Sequence, residues 1–111
     1  MYTAAITGTG VYTPSERITN AELVKAFNAY VDLQNARHAE AIAAGEREPL
    51  QYSSEEFILK ASGIENRFVM DKTGVLDPEI MHPLLRQRSD DEPGIMAEMA
   101  VDAAQKALAQ A

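Results

Sequence analysis

Tyr2-Thr3-Ala4-Ala5-Ile6-Thr7-Gly8-Thr9-Gly10-Val11-Tyr12 is the stretch that decides the fold. Ala4, Ala5, Ile6 and Val11 do not alternate strictly with polar residues, which is the pattern of a strand covered on both faces. Gly8 and Gly10 mark close packing against a neighbouring segment. Thr13-Pro14-Ser15 ends the strand. A strand of this kind needs partners on both edges. Only one other segment, Ile64 to Met70, reads convincingly as a strand, with Phe68, Val69 and Met70 as its apolar end. The expectation is therefore an α/β chain that is incomplete by itself, with most of its sheet supplied from elsewhere.

The rest of the chain reads mainly as helix. Thr19-Asn20-Ala21-Glu22 matches a capping box, in which the Thr hydroxyl and the Glu carboxylate each satisfy a free backbone N–H. Leu23, Phe27, Tyr30 and Val31 then share one face. Helical composition runs on to Ala44, about 36 Å if unbroken, with Gly45 as the residue after the C-cap. Ser53-Ser54-Glu55-Glu56 is a second capping-box match. It opens a helix over Glu55 to Ser62 that Gly63 closes. The stretch from Asp71 to Asp91 is irregular, with turn signals at Thr73-Gly74 and Asp77-Pro78. One short helical turn is expected within it, in a functional or interface loop. A last, alanine-rich helix is expected from about Asp91 or Glu92, with Pro93 in its first turn.

Composition narrows the function. The net charge is −7, without any Lys/Arg run, which argues against a nucleic-acid binder. There are no cysteines, so the chain carries no thiolate nucleophile, disulfide or cysteine metal site. His38 and His82 stand apart, without ligand-like partners at fixed spacing, and no metal site is expected. Residues 1–14 have neither the basic start nor the unbroken apolar core of a signal peptide. No segment approaches the roughly 20 apolar residues of a membrane span. The expected location is the cytoplasm.

Several motifs resolve to structural roles. Gly8-Thr9-Gly10 lacks the third glycine of a dinucleotide fingerprint, because position 13 is Thr and Pro14 follows. Glu55 and Glu56 suit a helix start, as do Asp90, Asp91 and Glu92. Met81, Met96 and Met99 are apolar filler. Arg67 lies among apolar residues just past Gly63-Ile64. It either grips a phosphate or carboxylate or is simply solvated.

The order of these signals is specific. Ile6-Thr7-Gly8-Thr9-Gly10-Val11-Tyr12-Thr13-Pro14 is followed by Thr19-Asn20-Ala21-Glu22-Leu23, then by Ser62-Gly63-Ile64-Glu65-Asn66-Arg67, then by the alanine-rich helix from Met96 to Ala111. The chain thus resembles the start of β-ketoacyl-acyl-carrier-protein synthase III, a condensing enzyme of the thiolase fold. The family opens with Gly-x-Gly-x-Tyr-x-Pro, continues with Thr-Asn-x-x-Leu and has a Thr-Gly-Ile-x-x-Arg turn. The resemblance covers the chain apart from two stretches that look longer than usual, near residues 31–52 and 72–93. It implies the N-terminal part of a layered α/β/α/β/α fold, with residues 1–111 as the opening segment of the first thiolase-like half-domain.

The activity the resemblance implies is acyl transfer in fatty-acid or related synthesis. In the family a cysteine attacks an acyl thioester, usually of coenzyme A, and the acyl-enzyme condenses with malonyl-acyl-carrier protein as carbon dioxide leaves. A His and an Asn assist the second step. None of the three is expected within these residues, and His38 and His82 do not stand in for them. Implied partners are acyl-coenzyme A, acyl-carrier protein, the remainder of the same fold and a second copy in a homodimer. No cofactor is implied beyond coenzyme A thioester as substrate. Family members stack adenine on a Trp and contact a phosphate with an Arg, both on the short helix before Gly-Ile. The matching positions here are Phe57 and Ala61, with Lys60 beside the latter. The candidate substrate-binding residues are thus Phe57, Lys60 and Arg67. These departures imply a divergent subgroup with a longer acyl donor, in keeping with apolar residues such as Leu84 and Leu85. Two alternatives stand beside this reading: a self-sufficient helical interaction module, and a non-catalytic relative used for assembly.

Overall fold

Thr19 starts the first helix as its neighbours dictate. In the computed structural model, which describes residues 1–111, Glu22 N–H donates to Thr19 Oγ1 at 3.2 Å and Thr19 N–H to Glu22 Oε2 at 2.9 Å. The capping box is complete. It launches helix α1, Asn20–Arg37, which stops at His38 and resumes as the short helix α2, Ala39–Ala43. The single expected helix over 21–44 is therefore interrupted at one residue, where His38 sits at φ −110°, ψ 20°. Gly45, at φ +74°, ends α2 as expected. Its N–H donates to Ile42 C=O at 3.1 Å and that of Glu46 to Ala41 C=O at 3.0 Å, the two bonds of a Schellman cap.

Helix α3 spans Glu55–Ser62, as the sequence indicated, and Gly63 closes it at φ +69°. Its cap is one residue later than expected. Ser54, not Ser53, is the N-cap and accepts the Phe57 N–H at 3.1 Å, so Glu56 is not its capping partner.

The sheet differs most from expectation. Its two strands are β1, Glu16–Thr19, and β2, Asn66–Val69, paired antiparallel with Ile18 opposite Arg67. Residues 2–12 form no strand, and Tyr2, Ile6 and Val11 are exposed. The segment is thus neither paired nor covered on both faces. A strand needs a ladder partner for its N–H and C=O groups, and no other segment of the chain aligns with it.

Between β2 and the last helix, Asp71 caps a single turn, α4, Lys72–Val75. It is a short helical turn within residues 71–91, as expected. The Asp71 carboxylate accepts three backbone N–H groups, from Thr73 at 3.1 Å, Gly74 at 3.2 Å and Leu84 at 2.7 Å. It thereby ties both ends of residues 71–84 together. Helix α5, Ile95–Gln110, starts after Gly94, a few residues later than expected and with Pro93 outside it.

The chain divides into two units, residues 14–85 and residues 1–13 with 86–111. The core of the first unit is Ile18, Ala26 and Val31, with Asn20 as a buried polar residue. In the second unit, residues 8–12 lie along α5. A side chain at Gly8 would come within 2.9 Å of Ala111 N, and one at Gly10 within 2.7 Å of Ala107 N. The close packing read from these glycines is present, with a helix as the neighbour. Thr9 N–H donates to Gln110 Oε1 at 2.7 Å, and Lys106 Nζ reaches Val11 C=O at 3.3 Å. No helix is long and apolar enough to cross a membrane.

Candidate functional site

Two sequence signals that lie far apart meet at Asn20. Its Nδ2 donates to Ile64 C=O at 2.8 Å, its Oδ1 accepts from Arg67 Nη2 at 2.9 Å, and its N–H donates to Glu65 C=O at 3.2 Å. Thr-Asn and Gly-Ile-x-x-Arg are therefore two sides of one clamp, which fixes the start of α1 to the entry of β2. Asn20 is buried with its side-chain amide satisfied on both atoms, as burial requires. Arg67 Nη1 is buried without a hydrogen-bond partner. Arg67 thus engages an amide oxygen rather than a carboxylate.

A second polar set organises the stretch before α3. Asn28, Asp32 and Asn35 fall at helical spacing on α1 and bond in turn to Ser53, Tyr52 and Leu50. Ser53 N–H donates to Asn28 Oδ1 at 2.9 Å, and Asn28 Nδ2 to Ser53 C=O at 3.1 Å. Leu50 N–H donates to Asn35 Oδ1 at 2.9 Å, and Asn35 Nδ2 to Leu50 C=O at 3.1 Å. Between them, the Tyr52 hydroxyl donates to Asp32 Oδ1. Each amide satisfies both backbone groups of one residue, as a neighbouring strand would. Residues 50–53 therefore run antiparallel to α1 along a side-chain ladder. The bond to Asp32, reinforced by its negative charge, holds the Tyr52 phenol above its ordinary range. The hydroxyl stays protonated and remains a donor.

The ladder forms one wall of an open cavity of about 590 Å³ lined by Phe27, Gln51, Tyr52, Ser53, Ser54 and Phe57. Phe57 and Tyr52 are each 65% exposed, so two aromatic rings border it uncovered. An adjoining apolar recess of about 220 Å³ shares Phe27 and Ser53 and is bounded also by Leu23, Val24, Ile58 and Met81. Met81 holds a left-handed backbone at φ +57°, which costs a non-glycine residue on the order of 1 kcal/mol.

Of the three candidate residues, Phe57 borders the large cavity. Lys60 lies one turn further along α3 and is exposed. Arg67 sits on β2 at the Asn20 clamp and lines neither cavity. Tyr52, Asp32 and the two asparagines were not singled out from sequence. The available signal was polar residues at positions 28, 32 and 35 on the flank of an otherwise amphipathic helix. His82 Nδ1 lies 3.0 Å from Pro83 C=O, and His38 marks the break between α1 and α2. No group of three or more His, Asp or Glu side chains could hold a metal ion.

A capped helix, a two-stranded antiparallel sheet and an aromatic-lined cavity define a mixed α/β protein. No protein-family model matches the chain. A β-ketodecanoyl-acyl-carrier-protein synthase of Pseudomonas aeruginosa is 56% identical to it over 88 residues, 79% of the chain. That match shows the resemblance read from the motifs: over this stretch the chain is related to a β-ketoacyl-acyl-carrier-protein synthase of type III. The match covers 25% of the relative's own length.

Proposed function

We propose that the chain serves a condensing acyltransferase, which joins an acyl thioester to malonyl-acyl-carrier protein in fatty-acid or related synthesis. The observation that carries this reading is the identity of 56% to a β-ketodecanoyl-acyl-carrier-protein synthase, together with the Asn20–Arg67 clamp that makes one structure of two of the motifs. The thiolase-like layered fold, a homodimeric state and a cytoplasmic location belong to the same proposal. Residues 1–111 contribute to substrate entry and not to bond making, because no cysteine is present to take up the acyl group.

The relative's name indicates the donor. A β-ketodecanoyl product contains ten carbons; condensation with malonyl and loss of carbon dioxide adds two, so its acyl donor has eight. An eight-carbon donor agrees with the longer chain expected from apolar residues such as Leu84 and Leu85. Phe57 offers the face on which the adenine of coenzyme A stacks. Lys60, one turn away, supplies a positive charge for its phosphates. Arg67 contributes indirectly, by fixing the start of α1 to the entry of β2 through Asn20.

The test is condensation by the protein carrying this sequence, with malonyl-acyl-carrier protein and either octanoyl- or acetyl-coenzyme A. Octanoyl is expected to be preferred by at least tenfold in kcat/KM. Equal turnover of the two donors overturns the donor assignment, and no ketoacyl product from any donor overturns the activity.

A further inference from the structure

The ladder on α1 has a consequence for ligand binding. Tyr52 lies in the stretch near residues 31–52 that looks longer than usual in this kind of chain, and it is held in one place. Asn28 and Asn35 fix the backbone on either side of it, and Asp32 fixes its hydroxyl. A tyrosine so restrained loses little further freedom when it packs against a ligand. Its ring is nevertheless largely exposed, as is that of Phe57, and both border the same cavity of about 590 Å³. Ring faces uncovered in water, and facing a space of ligand size, have apolar surface left to bury.

We infer that Tyr52 is a second stacking residue, which with Phe57 grips a planar heteroaromatic ring in this cavity, and that Asp32 is its positioning residue. The inference deepens the coenzyme A reading given above and rests on it for the identity of the ring, an adenine. Gln51, Ser53 and Ser54 on the same wall provide polar groups for the edge of a base. An acyl chain there would strip water from them without replacing its hydrogen bonds. Charge sets the orientation. Glu55 and Glu56 in the first turn of α3, together with Asp32, repel phosphates, so the phosphates lie toward Lys60.

The protein carrying this sequence is titrated calorimetrically with coenzyme A, with ATP as a free adenine nucleotide, and with phosphopantetheine, which lacks the base. The expected result is binding of coenzyme A that Tyr52→Ala weakens about tenfold, the usual scale for loss of one stacked ring. Binding of phosphopantetheine should be unchanged. Asp32→Ala should weaken coenzyme A several-fold, whereas Asp32→Asn, which still accepts from the hydroxyl, should retain it. Saturation-transfer NMR on the unmutated protein reads the same contact, from tyrosine ring protons to the adenine protons, without relying on a variant. Undiminished coenzyme A binding by a folded Tyr52→Ala protein overturns the inference and leaves the coenzyme A reading intact. Tyr52-dependent binding of ATP but not coenzyme A keeps the stacking role and overturns the coenzyme A reading. Binding of neither overturns both.

Discussion

Thr19 and Glu22 show how much one residue pair contributes. The Thr19 hydroxyl and the Glu22 carboxylate satisfy two N–H groups that would otherwise lack partners at the start of α1, and Glu22 also accepts from Lys72 Nζ at 3.2 Å. Thr19→Ala should lower stability by about 1 kcal/mol, read as a lower urea midpoint at unchanged m-value. The Glu22 pKa is held below its ordinary 4.5, first by the Thr19 backbone and then by Lys72. Asp71 lies below its ordinary 3.8, mainly through the Leu84 N–H, and Glu92 below 4.5, mainly through Arg86. Each depressed carboxylate stabilises the fold fully above its unfolded value. That contribution is lost as pH falls through its lowered folded value. Stability should therefore decline from about pH 4.5 downward. Glu22→Gln, which keeps a capping partner but does not titrate, should flatten part of that decline in an acid titration followed by circular dichroism.

At the scale of elements, glycine decides how segment 8–12 meets α5. A methyl group at Gly10 would overlap the Ala103 carbonyl and lie 2.9 Å from Lys106 Cβ. Gly10→Ala should therefore push the segment off the helix, at a cost of about 1–3 kcal/mol for overpacking. Faster amide exchange at Thr9, whose N–H bonds to Gln110, would report it. Gly94, with nothing within 4 Å of an added methyl, is the matched control and should tolerate Ala. The glycine spacing alone thus revealed that something passes close. It carried no information on whether the neighbour was a strand or a helix. β1 was illegible for the opposite reason: Glu16-Arg17-Ile18-Thr19 has no alternating apolar pattern, and its strand character comes from pairing with β2 some fifty residues on. The ladder from Asn28, Asp32 and Asn35 was equally hidden, because asparagine on a helix flank is ordinarily a solvated residue.

For the whole molecule, burial is the decisive quantity. Helix α5 buries none of its residues, and Met96, Val101 and Leu108 are exposed on it. With Ile18, Ala26 and Val31 as the buried apolar residues, the 111-residue chain in isolation should melt at low temperature with a broad transition, and it should bind a hydrophobic dye in its native state. A sharp, cooperative, monomeric melt would instead support the self-sufficient module. What the sequence by itself determined was local: the Thr19 capping box, the span of α3 from Glu55 to Ser62, and the left-handed stops at Gly45 and Gly63. Each depends on hydrogen bonds or dihedral preferences within a few residues. Tertiary structure alone decided that residues 8–12 lie along a helix, that β1 and β2 pair, and that Tyr52 and Phe57 border one cavity. Those outcomes depend on which distant backbone and side-chain groups come within bonding distance, and no local pattern in the chain encodes that.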